Sequence, residues 1–282
     1  MGAPRDDILY VQHGPPTLAE MSGAEVRQRL ETTKTVLIPV GATEDHGPHL
    51  PLGTDSMEAR EICRRTALRL ESRGCPIMIA PVVPFGTSSF HMDFAGTISI
   101  SSTTLIALLS EIAGSLYKGG FRNFVFVHGH DGNLSSMMVA AQEIVDATPD
   151  AQAVVCNWLA ALSAVYHTIQ TSTKGEGHGG EGETSRLLVT HPELVHPELA
   201  EPHHIDPAVM ARIQGPEHIK AGGGIYYGTR SYRDVTPYGH IGDPTIASPE
   251  TGEKGYDVIV EWLSKVIQRD FFAKDSASNA DS

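Results

Sequence analysis

Short, continuously apolar runs alternate along the chain with longer segments in which apolar residues recur every three or four positions. The apolar runs cover residues 35–40 (TVLIPV), 77–83 (IMIAPVV), 124–127 (FVFV) and 153–156 (AVVC). Short runs without polar alternation are typical of strands that are buried on both faces of a parallel sheet. The pattern therefore predicts four strands of a mostly parallel sheet.

The longer segments have the periodicity of amphipathic helices, with apolar side chains at i, i+3 and i+4. They cover residues 56–72, 102–118, 133–147 and 253–272. Strands that alternate with helices are typical of an α/β layered fold. The predicted fold class is thus α/β, with a mostly parallel central sheet.

Nothing within residues 1–273 has the composition of an interdomain linker, so we expect a single domain followed by a polar tail at residues 274–282. Residues 206–249 are rich in Gly and Pro and show little periodicity, which predicts long loops over one face. Loops of that length within a compact domain are commonly functional.

Composition narrows the choice of partner and compartment. The 282 residues include 21 Lys and Arg against 34 Asp and Glu, a formal net charge of −13. An acidic surface repels phosphate backbones, which argues against nucleic acid or an anionic membrane as partner. The three cysteines are widely spaced, so no disulfide framework is expected. Without an apolar leader or a long apolar segment, a cytoplasmic protein is predicted.

Histidines and carboxylates gather in three places, each next to a predicted strand or helix. Glu44 and His46 follow the first strand, and Asp55 precedes the next helix; His130 follows the third strand, and Glu183 opens a later helix. Ligands of parallel sheets bind beyond the carboxyl ends of the strands, so we expect these side chains to meet. Carboxylates and imidazoles without thiolates suit Zn²⁺, Mn²⁺ or Fe²⁺. A carboxylate such as Asp55 can bridge two ions, and two ions roughly 3.5–4 Å apart form a hydrolytic pair.

Each of these residues also has a purely structural interpretation. Asp55 could cap the helix that follows it, and Glu183 could complement a helix dipole. His130 alone could be a hydrogen-bonded core residue, and its neighbour Asp131 a supporting partner. His91 could be a loop residue or a substrate contact. The coincidence of three such loops favours the metal site over these separate explanations.

The same motifs resemble the creatininase (creatinine amidohydrolase) family. The resemblance covers most of the chain, through LIPVGATEDHGPHLPLGTDS (residues 37–56), FHMDFAGTISI (90–100), VHGHDGN (127–133), HGGEGETS (178–185) and GDPTIASPETG (242–252). It implies a three-layer αβα sandwich, usually assembled as a homohexamer. It also implies two divalent metal ions, Zn and/or Mn with Fe as a possibility.

The resemblance further implies roles for individual residues. The family's core ligands correspond to Glu44, His46, Asp55 and His130, with Asp55 bridging. Creatininase has a Glu as fifth ligand two residues beyond the His of the third-strand motif, where this chain has Gly132. Glu183 is therefore the predicted replacement, as a ligand or as a proton-transfer residue. His178 corresponds to a family histidine near the substrate and is predicted to be the general acid.

One departure from the family concerns the substrate. Creatininase carries a Trp-Asp pair four and three residues before the histidine that corresponds to His178, whereas this chain has Lys174 and Gly175 there. Creatinine is therefore not the expected substrate. We expect His91, Asp131 and Lys174 to contact a small-molecule substrate, and a lysine there would suit a carboxylate or phosphate group.

The predicted function is metal-dependent hydrolysis of a non-peptide C–N bond, in a cyclic amide or a formamide, by a hydroxide shared between two ions. Three alternatives remain open at this point. The same centre could open the ring of a cyclic ketone such as a keto-inositol, or cleave a small modified peptide. A metal-binding homologue without turnover is the third, although such proteins commonly lose a ligand and all four core positions match here.

Overall fold

A four-stranded parallel sheet with strand order β2-β1-β3-β4 forms the centre of the molecule. The computed structural model describes residues 17–172, 176–214, 224–226 and 228–272. The strands are β1 (Thr35–Val40), β2 (Met78–Ile79), β3 (Asn123–His128) and β4 (Gln152–Cys156). All four predicted strands are thus present, and β1 and β3 occupy the middle of the sheet.

The second strand is shorter than predicted, because only Met78 and Ile79 form a regular ladder with β1. Pro81 has no backbone N–H and interrupts the ladder soon after these residues. The chain nevertheless stays beside β1, since the amide of Val83 donates to the Pro39 carbonyl at 2.9 Å. The apolar run therefore follows the sheet for its whole length, although only part of it is a strand.

Helices cover both faces of the sheet. They are α1 (Gly23–Leu30), α2 (Thr54–Ser72), α3 (Ser102–Lys118), α4 (Leu134–Ala147), α5 (Trp158–Ser163), α6 (Tyr166–Ile169), α7 (Glu181–Thr190), α8 (Pro207–Gln214) and α9 (Pro249–Ile267). Short 3-10 helices span Ser89–His91, Asp131–Asn133, Pro192–Leu194, Pro197–Leu199, Tyr232–Asp234 and Pro244–Ile246, and a π-helical turn spans Gln268–Phe272.

Two apolar cores lie on opposite faces of the sheet, because side chains along a strand alternate in direction. Val36 and Ile38 of β1 pack with α3 and α4, whereas Leu37 packs with α2, α5 and α9. The three cysteines are buried and free, and all three belong to the second of these cores. The architecture is the expected three-layer αβα sandwich.

The helix boundaries differ from the predictions in ways that bear on the site. Helix α2 begins at Thr54 with Gly53 as its N-cap residue, so Asp55 lies in the first turn and the N-cap interpretation of Asp55 is wrong. The predicted long loops over residues 206–249 contain α8 and two 3-10 helices, Tyr232–Asp234 and Pro244–Ile246, among the described residues. The predicted tail at residues 274–282 lies outside the described residues, and the domain boundary at residue 273 stays a prediction. Among the described helices, none combines the length and the apolar character needed to cross a membrane.

Candidate metal centre

Four predicted ligands meet at the carboxyl ends of the two central strands, and we call Glu44, His46, Asp55 and His130 the floor of the centre. All four side chains are buried. His46 Nε2 lies 3.0 Å from Asp55 Oδ1. His130 Nδ1 lies 3.1 Å from Glu44 Oε1 and 3.3 Å from Asp55 Oδ2. Asp55 therefore stands between the two imidazoles, one on each of its oxygens.

Glycines allow the first turn of α2 to approach the ends of the central strands this closely. A side chain at Gly129, just after β3, would bring its Cβ to 2.7 Å from the Asp55 carbonyl oxygen. One at Gly41, just after β1, would come to 2.6 Å from the Ser56 amide nitrogen. Ser56 Oγ also donates to the Ala42 carbonyl at 3.0 Å. Asp55 is thus held at a fixed height above the sheet by contacts that only glycine permits.

Two further predicted residues approach the floor from the region that leads into α7. Glu183, in the first turn of α7, places Oε2 3.8 Å from His46 Nε2 and accepts a hydrogen bond from the Gly179 amide at 2.6 Å. His178 places Nδ1 3.7 Å from Glu44 Oε1, and its ring centroid lies 4.0 Å from that of His46. The structure therefore brings six predicted site residues together.

These side chains form three groups in which the ligand atoms lie within 4.8 Å of one another. The groups are Glu44 with His46 and His178, Glu44 with Asp55 and His130, and His46 with Asp55 and Glu183. Glu44, His46 and Asp55 each take part in two groups. An arrangement with shared carboxylates is the one that two neighbouring ions require.

The buried carboxylate oxygens of the floor fit a cation. Within the described part of the chain, no hydrogen bond of normal geometry reaches Glu44 Oε1, Glu44 Oε2 or Asp55 Oδ2, although His130 Nδ1 lies 3.1 Å from the first of these oxygens and 3.3 Å from the last. A buried carboxylate oxygen without a partner is costly, so a native fold provides a compensating group. The imidazole nitrogens of His46 and His130 lie 3.0–3.3 Å from the carboxylate oxygens, about the separation of two ligands on one ion. Carboxylate together with imidazole is a donor set that Zn²⁺ and Mn²⁺ accept.

The charges of the floor act strongly on one another. Burial by itself would raise the pKa of Glu44, but the charges of His130 and His91 and the hydrogen bond from His130 together bring this pKa to about 2. Burial would lower the pKa of His46, but Asp55, Glu183 and Glu44 together bring this pKa to about 10. Without a bound cation, the imidazoles thus compensate the carboxylates by carrying protons. A cation held by these residues would supply that compensation in place of the protons.

The rings of three further residues contact one another beside the floor, and we call them the cap: His91, His178 and Tyr232. The ring centroid of His91 lies 4.6 Å from that of His178 and 4.4 Å from that of Tyr232, and the last two lie 5.4 Å apart. Burial, together with the neighbouring His178, lowers the pKa of His91 to about 3. Burial and His46 also lower the pKa of His178, while burial and Glu183 raise the pKa of Tyr232. The cap is therefore neutral at pH 7.

The remaining predicted contacts have different outcomes. His91, from the 3-10 helix Ser89–His91, places Nε2 3.8 Å from Glu44 Oε1 and so belongs to the centre. Asp131 lies outside the floor, where its Oδ1 is 3.2 Å from Nε2 of His128 and its charge also acts on the Tyr232 phenol. Lys174 lies in residues 173–175, outside the described residues.

Tyr232 belongs to the centre, although the sequence did not predict it as a site residue. It lies within the Gly- and Pro-rich region that the sequence marks only as a functional loop, and no periodicity or motif singles it out. Its place in the centre depends on tertiary contacts with the segment that carries His91, which are remote along the chain.

Sequence reasoning also missed a buried ion pair beneath the centre. The Arg186 guanidinium donates from Nε and Nη2 to the two oxygens of Glu58, at 2.8 and 3.1 Å. Glu58 follows Asp55 by one helical turn on α2, and Arg186 follows Glu183 by one turn on α7. The helical spacing was readable from the sequence, but the pairing of two residues so far apart along the chain was not. The pair therefore joins α2, which carries Asp55, to α7, which carries Glu183.

Comparisons with known proteins agree with this geometry. A family model described as Creatininase, creatinine amidohydrolase, matches residues 19–267. A mycofactocin precursor peptide peptidase of Mycobacterium ulcerans is 33% identical over 258 residues, which are 90% of this chain and 91% of that protein. A 3-dehydro-scyllo-inosose hydrolase of Thermotoga maritima is 27% identical over 278 residues, covering 88% of this chain and 81% of that protein.

A solved structure gives the same result. The crystal structure of a putative creatinine amidohydrolase from Bacteroides fragilis has a TM-score of 0.78 and 26% sequence identity to this chain. The similarity covers 92% of this chain and 97% of that one. Fold, ligand cluster and sequence matches lead to one conclusion: the chain belongs to the creatininase family, and it is a metal-dependent hydrolase.

Proposed function

We propose that this hydrolase cleaves an amide C–N bond in a small substrate, a cyclic amide or a formamide. The observation that carries the proposal is a floor of buried carboxylates and imidazoles next to a neutral histidine, His178, whose Nδ1 lies 3.7 Å from Glu44 Oε1. Such a centre combines a place for metal ions with a group that can move one proton. Hydrolysis of an amide needs both, because a nucleophile must form and the leaving nitrogen must be protonated.

The proposed metal ligands are the four floor residues, with Glu183 as a fifth ligand or as a proton-transfer residue. Zn²⁺ and Mn²⁺ are the proposed ions. Two bound divalent ions supply a nucleophile from water at neutral pH and polarise the substrate carbonyl. The Gly179 amide donates to Glu183 Oε2 at 2.6 Å and fixes the orientation of that carboxylate.

The hydrogen bond of His178 defines where its proton lies. Its Nε2 is 2.6 Å from the backbone carbonyl oxygen of Asp45, and a carbonyl can only accept, so Nε2 carries the proton. Nδ1 then presents a lone pair toward the floor. We assign to Nδ1 the uptake of a proton from the attacking water and its transfer to the leaving nitrogen. A C–O bond forms, the C–N bond breaks, and a carboxylate and an amine result.

A second candidate substrate is an amide bond in a small modified peptide. It is favoured by the 33% identity to a mycofactocin precursor peptide peptidase, which covers nearly the whole of both chains. The same proton movements apply, because a peptide bond is also an amide. His91 and Asp131 are proposed as substrate contacts in either case, and Lys174 as a contact for an anionic group.

The test combines metal analysis with a substrate panel. Protein loaded with Mn²⁺ or Zn²⁺ is assayed on lactams, formamides, short modified peptides and keto-inositols, with chelated protein as the blank. We expect about two ions per chain and hydrolysis of C–N substrates alone. Ring opening of a keto-inositol without any C–N hydrolysis would contradict the proposal, and so would undiminished turnover by the chelated protein.

From the family resemblance we also propose that the protein assembles as a homohexamer in the cytoplasm. Light scattering on the purified protein measures the first part. A particle mass of six times the 30.3 kDa chain is expected, and a monomer at working concentration would contradict it.

A further inference from the structure

Tyr232 contributes to the cap from a part of the chain remote from the other two residues. Its ring lies 4.4 Å from the His91 ring and 5.4 Å from the His178 ring, with Phe90 at 6.2 Å. His178 is the residue to which we assign the proton transfer. A phenol against that imidazole therefore lies where the substrate must sit.

Tyr232 also borders the floor, because the two rings that it contacts, His91 and His178, place Nε2 and Nδ1 3.8 and 3.7 Å from Glu44 Oε1. An ordinary phenol has a pKa of about 10 and is a neutral hydrogen-bond donor at pH 7. The carboxylates around it can only accept. Tyr232 therefore adds a donor to a centre in which most side chains are acceptors or metal ligands.

The segment that carries Tyr232 is fastened on both sides of that residue, by a set of contacts we call the Asp93 latch. Before it, the Ser231 hydroxyl donates to the Asp93 carboxylate. After it, Arg233 Nε and Nη2 donate to the Asp93 backbone carbonyl at 3.2 and 3.0 Å, and the guanidinium lies 4.6 Å from the Phe94 ring centroid. Asp93 follows His91 by two residues. The latch thus fixes Tyr232 relative to His91.

We propose that Tyr232 contacts the substrate, donating its hydroxyl to the oxygen of the carbonyl under attack, and that the Asp93 latch positions it. The proposal rests on the amide hydrolysis proposed above. Negative charge grows on that oxygen as the C–O bond forms, so a donor already aimed at it stabilises the transition state more than the bound substrate. A neutral donor does this without adding a cation that would compete for the floor carboxylates.

The first experiment compares Tyr232→Phe with Tyr238→Phe, a matched control at an exposed tyrosine nearby. Tyr232→Phe keeps the ring and removes only the donor. On the best amide of the panel, we expect kcat to fall roughly 10- to 100-fold with a smaller change in KM. Tyr238→Phe should leave both unchanged, and neither variant should lose metal.

A binding measurement separates this proposal from the proposed function. Acetohydroxamic acid places a carbonyl oxygen on protein-bound metal without needing turnover, and calorimetry on the Mn²⁺-loaded protein gives its Kd. We expect binding to Tyr232→Phe to be about fivefold weaker than to wild type, the value of one neutral hydrogen bond. Equal affinity of the two tyrosine variants would overturn the substrate contact, even if no amide in the panel is cleaved. Loss of metal from Tyr232→Phe would overturn it as well.

The latch is tested by Arg233→Met, which keeps an unbranched apolar stem against Phe94 and removes both hydrogen bonds. Its effect on kcat should have the same direction as that of Tyr232→Phe and be smaller, about threefold to tenfold. In the Tyr232→Phe background Arg233→Met should add nothing, because the latch then has no donor to position. Multiplicative losses in the double variant would overturn the positioning role.

Discussion

The floor and the cap of the centre are built by different parts of the fold. Floor residues come from the ends of two central strands and the first turn of α2, and all are buried, charged and in contact with one another. Cap residues come from short 3-10 helices and from the loop before α7, and they are neutral at pH 7. The charged groups thus lie in the loops directly beyond β1 and β3 and at the start of α2, whereas the neutral groups come from segments farther from the sheet.

In the function proposed above, this difference separates metal binding, by the floor, from substrate recognition, by the cap. The floor is fixed by glycine contacts and by the ladder between β1 and β3, so its geometry depends on the sheet itself. The cap depends on loop contacts such as the Asp93 latch, which can change without disturbing the sheet.

The largest effect is expected at the floor. Asp55→Ala removes a ligand from two of the three possible metal groups, so both metal content and turnover should fall below detection. Elemental analysis and the amide assay measure these two losses. Asp257→Ala, at an exposed aspartate of α9, is the control and should change neither. Full metal content in Asp55→Ala would show that the floor is not the binding site.

The variant His178→Asn tests whether His178 transfers a proton or binds a metal ion. We expect kcat to fall by roughly 10² to 10⁴, the typical value of a lost proton-transfer group, with metal content unchanged. His196→Asn, at an exposed histidine, should change neither kcat nor metal content. If His178→Asn instead lost one ion per chain, His178 would be a ligand and would belong to the floor.

Among these variants, loss of the Glu58–Arg186 ion pair should lower the free energy of unfolding most. Glu58→Ala leaves the Arg186 guanidinium buried without its partner, and we expect the free energy of unfolding to fall by about 3–5 kcal/mol. Urea unfolding of the metal-free protein measures it. Glu253→Ala breaks an exposed contact between α9 and Arg65 of α2 and should cost less than about 1 kcal/mol. Equal losses in the two variants would mean that burial does not strengthen the pair.

Much of the floor could be predicted from the sequence, because its residues directly follow apolar runs that are strands or begin a helix. Local order along the chain is enough to bring such residues to one edge of a parallel sheet. Glu44, His46 and His130 are of this kind. Asp55 was placed correctly beside them, although its helix begins one residue before it.

The cap and the ion pair could be predicted only in part, because each depends on side chains that meet across the fold. His91 and His178 lie in motifs, but Tyr232 reaches them through the latch, which no local pattern encodes. Glu58 and Arg186 have the helical spacing of the neighbouring carboxylates, yet a pairing between α2 and α7 becomes visible only when the helices are packed.

The residue between the first two ligands gives the loop after β1 a double role. The side chains of Glu44 and His46 face the floor, while the carbonyl of Asp45 between them accepts the proton of His178 Nε2. Any displacement of this loop therefore moves the ligands and the acceptor together. The positions of the Glu44 and His46 side chains and the tautomer of His178 therefore depend on the same short segment of backbone.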